Sequence, residues 1–185
     1  MRQMGFYFNQ ERCTGCYTCS IACKDWNNIP AGLVNWRKIK KVEEGKFPDL
    51  FLAYLSTACN HCVNPPCIKA CPTEAIVKRE LDGIVVVDRE RCIGKKECGS
   101  KCLKVCPWNV PQFSSEINAK MQKCDLCLDR LEKGQQTICV EACPMYALDV
   151  GTIDKLQEKY GTHTEAKGFI YNEKIKPSIV FKTKK

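Results

Sequence analysis

The sequence predicts an α+β fold of short strands, small helices and many loops, built as one small module inserted into a second. Three observations predict it. The 185 residues contain sixteen cysteines, and these fall into four groups of four. Pro72, Pro107 and Pro144 directly follow the last cysteine of three of those groups. The apolar runs between groups are short, the longest being Leu50 to Leu55 (LFLAYL), which is strand length.

Taken in order, residues 1–12 give a strand at Phe6 to Phe8 leading into the first group, Cys13, Cys16, Cys19 and Cys23. Lys24 stands where the other groups have proline, and 24–32 reads as a loop. Leu33 to Val42 and Leu50 to Ser56 read as two strands turned at Glu43-Glu44-Gly45-Lys46. The second group, Cys59, Cys62, Cys67 and Cys71, and the third, Cys92, Cys98, Cys102 and Cys106, enclose an apolar Ala75-Ile76, an Asp82-Gly83 turn and the run Ile84 to Val87. Residues 109–123 are a polar connector to the fourth group, Cys124, Cys127, Cys139 and Cys143. Between Cys127 and Cys139, DRLEKG suggests a helical turn ending at Gly134. Tyr146-Ala147-Leu148 repeats the pattern of Glu74-Ala75-Ile76 after the Cys-Pro, an internal repeat. Thr152 to Tyr160 places Ile153, Leu156 and Tyr160 on one helical face, with Thr152 as cap and Gly161 as stop. Ile179 to Phe181 reads as a last strand before a basic tail. The expected modules are an outer one at 1–56 and 109–150, an inner one at 57–108, and a C-terminal helix and tail at 151–185 for docking a partner.

Three cysteines at short spacing followed by a remote Cys-Pro form the bacterial ferredoxin pattern for cubane iron–sulfur ligation, in which the fourth cysteine of one run serves the other run's cluster. A cubane needs four thiolates at the corners of a tetrahedron. One tight loop supplies three, and the fourth approaches from elsewhere, its proline forbidding helix continuation toward its own loop. Crossed ligation would pair the second group with the third, and the flanking first with the fourth. Two registers remain for the stretched third group: either Cys92, Cys98 and Cys102 act together and Cys106 is remote, or Lys95 fills the second place and Cys102 is remote. The proline after Cys106 favours the first.

Other uses of the cysteines fit less well. A disulfide scaffold would spread them through a secreted chain. Zinc would use the Cys-x-x-Cys pairs but leaves the Cys-x-x-x-Cys steps and prolines unexplained. The formal charge of +8 suggests nucleic acid, but sixteen thiolates and four oxidised cubanes bring the total back to about zero. No apolar run reaches the roughly 18 residues of a membrane span. No nucleophile elbow, phosphate-cradling loop or dinucleotide fingerprint supports an enzyme. His61 reads as a hydrogen-bonding loop residue, and Trp26, Trp36 and Trp108 as packing residues.

CTGCYTCSIACKD, CNHCVNPPCIKACP, GIVVVD, KCDLCLDR, ICVEACPMYALDVGTIDKL and IKPSIVFK resemble the electron-transfer subunit of the dimethyl sulfoxide reductase type. More broadly they resemble four-cluster iron–sulfur subunits of molybdopterin or tungstopterin oxidoreductases. The resemblance implies four 4Fe-4S clusters and a non-catalytic subunit. Electrons would pass between a large pterin-dependent catalytic subunit and a membrane anchor subunit or soluble redox partner. An equivalent carrier of a hydrogenase, formate dehydrogenase or tungsten aldehyde oxidoreductase complex is the alternative. Carried over residue by residue, one cluster takes Cys13, Cys16, Cys19 and Cys143, and another Cys124, Cys127, Cys139 and Cys23. The inner two take Cys59, Cys62, Cys67 with Cys106, and Cys92, Cys98, Cys102 with Cys71. Lys95 departs from the family's second cysteine, which leaves cluster type open at that site. MRQMGFYF shows neither an apolar signal core nor twin arginines. The expectation is therefore cytoplasmic, membrane association through partners, or co-export with a signal-bearing catalytic subunit.

Overall fold

A computed structural model describes residues 2–185. Its largest sheet has three strands: β1 (Met4–Asn9) lies between β6 (Leu148–Thr152) and β7 (Ile179–Lys182). β1 runs antiparallel to β6, with Phe6 opposite Val150 and Phe8 opposite Leu148. It runs parallel to β7, with Phe6 opposite Ile179 and Phe8 opposite Phe181. The alternation of MGFYFN divides the sheet's two faces. Phe6, Phe8, Leu148, Val150, Ile179 and Phe181 enter the main core together with Cys19, Cys124, Cys139 and Cys143. Tyr7 and Val180 face the other way and are covered by α7 (Ile153–Tyr160) through Leu156, Ile153 and a stacked Tyr160. Strands from both ends of the chain thus close one sheet over the first and fourth cysteine groups.

The expected hairpin forms, but its turn falls later than expected: Glu43 and Glu44, read as turn residues, pair in β2 with Leu52 and Phe51. β2 (Lys38–Glu44) pairs antiparallel with β3 (Phe51–Thr57), placing Lys40 opposite Leu55 and Val42 opposite Ala53. β2 starts five residues later than Leu33, because Leu33 to Arg37 pair with no strand, Leu33 lying exposed while Val34 and Arg37 are buried. A second, short hairpin of β4 (Ile76–Lys78) and β5 (Val85–Val87) lies between the second and third groups.

Helices are brief and fall at the cysteines. α1 (Thr18–Trp26) carries Cys19 and Cys23, α2 (Pro66–Lys69) Cys67, and α3 (Lys95–Cys98) Cys98. α4 (Lys101–Lys104) carries Cys102 and α6 (Ile138–Glu141) Cys139, while α5 (Leu128–Leu131) follows Cys127 and holds the expected DRLEKG turn, with Gly134 at φ 71. The loop expected at 24–32 begins late. Lys24 leaves α1 free to run through Cys23 to Trp26, whereas prolines stop the chain at the other three remote cysteines.

The segment 151–185, expected as a C-terminal helix and tail for docking a partner, forms α7 and β7 and also completes the sheet. Val180 and Phe181 are fully buried, while Asp154, Lys155, Glu158 and Lys159 of α7, the loops and the last residues face solvent. The tryptophans pack. Trp108 stacks on Phe169 and donates to the Ile170 carbonyl, and Trp26 lies under the Arg130 guanidinium while donating to Asp129.

Candidate iron–sulfur sites

The loops set the cysteines by repeated backbone geometry. The third residue after Cys71, Cys106 and Cys143 is in each case left-handed: Glu74 at φ 52, Asn109 at φ 50 and Tyr146 at φ 49. Its N–H donates to the cysteine carbonyl, and the chain then turns the next N–H toward the sulfur. Val110 N lies 3.5 Å from Cys106 Sγ and Ala147 N 3.3 Å from Cys143 Sγ. Around Cys71, N–H groups of Thr73, Ala75 and Ile76 work against burial and leave the thiol below its ordinary value. At Cys23 the continuing helix removes this turn. Asn27 takes its place, its side-chain amide donating to the Cys23 carbonyl at 2.8 Å and lying 3.8 Å from the sulfur. Gly15, at φ 72 between Cys13 and Cys16, backs onto the Tyr54 ring, which fills the place of a Cβ.

Three cavities of similar size follow. The first, about 320 Å³ of atom-free space, is lined by Cys13, Cys16, Cys19 and Cys143 with apolar neighbours such as Phe8, Ile39 and Leu148. The second, about 360 Å³, is lined by Cys92, Cys98, Cys102 and Cys71. The third, about 400 Å³, is lined by Cys59, Cys62, Cys67 and Cys106. Each draws three cysteines from one group and one from another. The stretched third group presents Cys98 and Cys102 to its own cavity and sends Cys106 to its neighbour's. Lys95 lies outside that cavity, its ammonium bound to the Ser114 carbonyl at 2.9 Å, and Lys101 lines the wall instead.

Cys23, Cys124, Cys127 and Cys139 are buried together where α1 meets α6. Burial pushes Cys23 and Cys127 up to about 12, and the charge of Cys139 adds to both. Burial also pushes up Cys67 and Cys102, each to about 12. Cys16 is the exposed exception, with its thiol lowered by Thr18, whose hydroxyl donates to the sulfur at 3.4 Å. Buried thiols that resist ionisation alone become thiolates when metal bonding offsets the cost.

The donor set fits clusters. Cysteine is the softest common ligand, and the thiols surround apolar cavities. Among the described residues, no three His, Cys, Asp or Glu side chains close on a point as a single ion requires. Three buried polar atoms also lack a partner among the described residues: Arg37 Nη2, Asn60 Nδ2 and His61 Nε2. Asn60 and His61 sit between Cys59 and Cys62, and Asn60 lines the third cavity. Nearby carbonyls are saturated. Lys78 Nζ donates to Cys62 O and Val63 O, and buried Lys123 donates to Cys124 O and Val85 O. His61 is a hydrogen-bonding residue as expected, its Nδ1 accepting from Val85 N–H at 3.0 Å. Burial holds it neutral, assisted by Lys123, Arg37 and Lys78. Arg37, Asn60 and Lys123 carry no sequence signal as site residues: each stands among polar neighbours, and only the fold shows them buried.

A family model for the 4Fe-4S dicluster domain matches residues 50–153, more than half the chain. The B subunit of the anaerobic dimethyl sulfoxide reductase of Haemophilus influenzae is 41% identical, with 100% of this chain and 91% of the relative aligned. The corresponding subunit of Escherichia coli is 42% identical over 97% of this chain and 88% of its own length. The chain therefore belongs to this family of iron–sulfur electron-transfer subunits. Protein NrfC of Escherichia coli is a more distant relative, 34% identical over 81% of this chain and 66% of its own length. Membership fits a subunit without catalytic machinery, built to hold iron–sulfur clusters and carry electrons. Among the described residues no helix is long and apolar enough to cross a membrane.

Proposed function

We propose that the chain holds four 4Fe-4S clusters by crossed ligation and relays electrons between a pterin-dependent catalytic subunit and a membrane-anchoring or soluble redox partner. One cluster takes Cys13, Cys16, Cys19 and Cys143, and a second takes Cys124, Cys127, Cys139 and Cys23. The inner pair takes Cys59, Cys62, Cys67 with Cys106, and Cys92, Cys98, Cys102 with Cys71. The observation that carries this reading is the lining of three cavities, each by three cysteines of one group and one of another. Four thiol donors around the stretched site favour four irons there over three. Such clusters, when bound, supply one-electron transfer over a range of potentials set by their surroundings. The chain's own residues do the rest. Apolar walls exclude water, and N–H groups of Val110 and Ala147 face remote sulfurs.

The inner module, 57–108, carries its own hairpin, β4–β5. The outer module, 1–56 with 109–150, is closed by β1 and β6 from its two ends, which supports insertion of one ferredoxin unit into another. The partner surface includes the β2–β3 hairpin, whose tip exposes Phe47 and Leu50. The test is reconstitution. The anaerobically purified chain should take electrons from a reduced dye yet turn over no sulfoxide until a pterin-bearing subunit is added. Sustained turnover by the chain alone, free of molybdenum and tungsten, would refute the reading.

A further inference from the structure

Arg37 belongs to no cysteine group, yet it is 2% exposed in the middle of the outer module. Its position is fixed from both ends. Its carbonyl accepts from Ser20 Oγ at 2.7 Å, on the residue after Cys19. Its guanidinium lies 4.5 Å from the centroid of the Phe6 ring. Nη1 donates to Ser56 Oγ at 3.0 Å, and that oxygen is 3.7 Å from Cys19 Sγ. Nη2 is buried with no partner among the described residues.

A buried guanidinium with an idle donor is costly unless negative charge sits beside it. Here the cysteine sulfurs supply it once they bond metal as thiolates. Burial works against the cation, but Cys139, Cys19, Cys124 and Cys23 outweigh it and hold Arg37 above its ordinary value. Cys19 belongs to the first group, and the other three make up most of the fourth site. Cys19 and Cys23 stand one turn apart on α1, so a cation against this helix faces both sites.

We propose that Arg37 is a positioning residue of the electron relay: a fixed cation shared by the two outer clusters, which raises both reduction potentials together. The inference rests on the crossed ligation proposed above. Each reduction adds one electron to a cluster and no proton to the guanidinium, which stays charged at all relevant pH. The added negative charge is therefore met by a positive charge already in place. Arg37 itself is buried, so water screens that compensation little.

The test is a redox titration by electron paramagnetic resonance of the anaerobically prepared full chain, with iron counted per chain. In Arg37→Met, iron content should hold. Two of the four transitions should move down by at least tenfold in the one-electron equilibrium, which is 59 mV, and two should stay. Arg37→Lys should keep the same two within threefold of the wild type. Where Arg37→Met does not hold iron, Arg37→Gln, which keeps a donor for Ser56, reads the same shift. Four unmoved transitions, four equal shifts, or a Lys variant as displaced as the neutral one would overturn the proposal. Cys19→Ser and Cys23→Ser are titrated alongside. If they damage two different clusters, crossed ligation stands whatever Arg37 does; if they damage the same cluster, that reading fails by itself.

Discussion

Phe181 tests whether the sheet that joins the two ends of the chain holds the outer sites together. It is fully buried, meets Phe8 edge-on with centroids 6.4 Å apart and tilts against Phe169 at 4.9 Å. Phe169 in turn stacks on Trp108, two residues beyond Cys106. Truncating a buried phenylalanine to alanine costs about 3–5 kcal/mol. Among the described residues β7 pairs with β1 alone, and truncating a side chain leaves those backbone bonds in place, so the loss is one of packing. Cluster loss is irreversible, so the readout is a rate. If about 3 kcal/mol falls on the unfolding barrier, Phe181→Ala should bleach roughly 100-fold faster. The assay follows visible cluster absorbance in mild guanidinium under anaerobic conditions. Ile170→Ala, at an exposed site in the same region, should bleach at the wild-type rate. A Phe181→Ala rate within twofold of wild type would refute the reasoning.

Cys102→Ser and Cys106→Ser should perturb two different clusters in paramagnetic resonance, because the two sulfurs line different cavities; one shared altered signal would put the stretched group in the other register. Asn27→Leu removes the donor that replaces a loop N–H at Cys23, so one potential should fall by about 20–60 mV, the equivalent of one ordinary hydrogen bond; an unchanged titration would deny Asn27 that role. Lys123→Met leaves the Val85 and Cys124 carbonyls without their buried donor. A loss of about 1–3 kcal/mol is expected, read as bleaching about fivefold to 150-fold faster if it falls on the unfolding barrier, and wild-type bleaching would count against it.

Much of this was legible because cysteine spacing, Cys-Pro and strand alternation are local signals. The existence of the β2–β3 hairpin, and the shared turn after Cys71 and Cys143, follow from short stretches of sequence. What escaped depends on distant packing. Lys24 gave no hint that α1 would run on to Trp26, since an absent proline only permits a helix. Arg37 read as one polar residue in an expected strand, yet its burial is decided by Phe6, Ser20 and Ser56 on three other elements. Ile179 to Phe181 read as a last strand, but nothing in the cysteine-free 151–185 told which strand it would join. The pairing of β7 with β1, which brings Ile179 beside Phe6 from the far end of the sequence, is what buries it.

The central claim is crossed ligation, and iron-edge anomalous diffraction from the anaerobically loaded protein tests it most directly. The account predicts four iron sites of about four irons each, with Cys23 Sγ bonded to the site that also holds Cys124, Cys127 and Cys139, and Cys143 Sγ bonded beside Cys13, Cys16 and Cys19. A map placing the sulfurs of Cys13, Cys16, Cys19 and Cys23 on one cluster would contradict it.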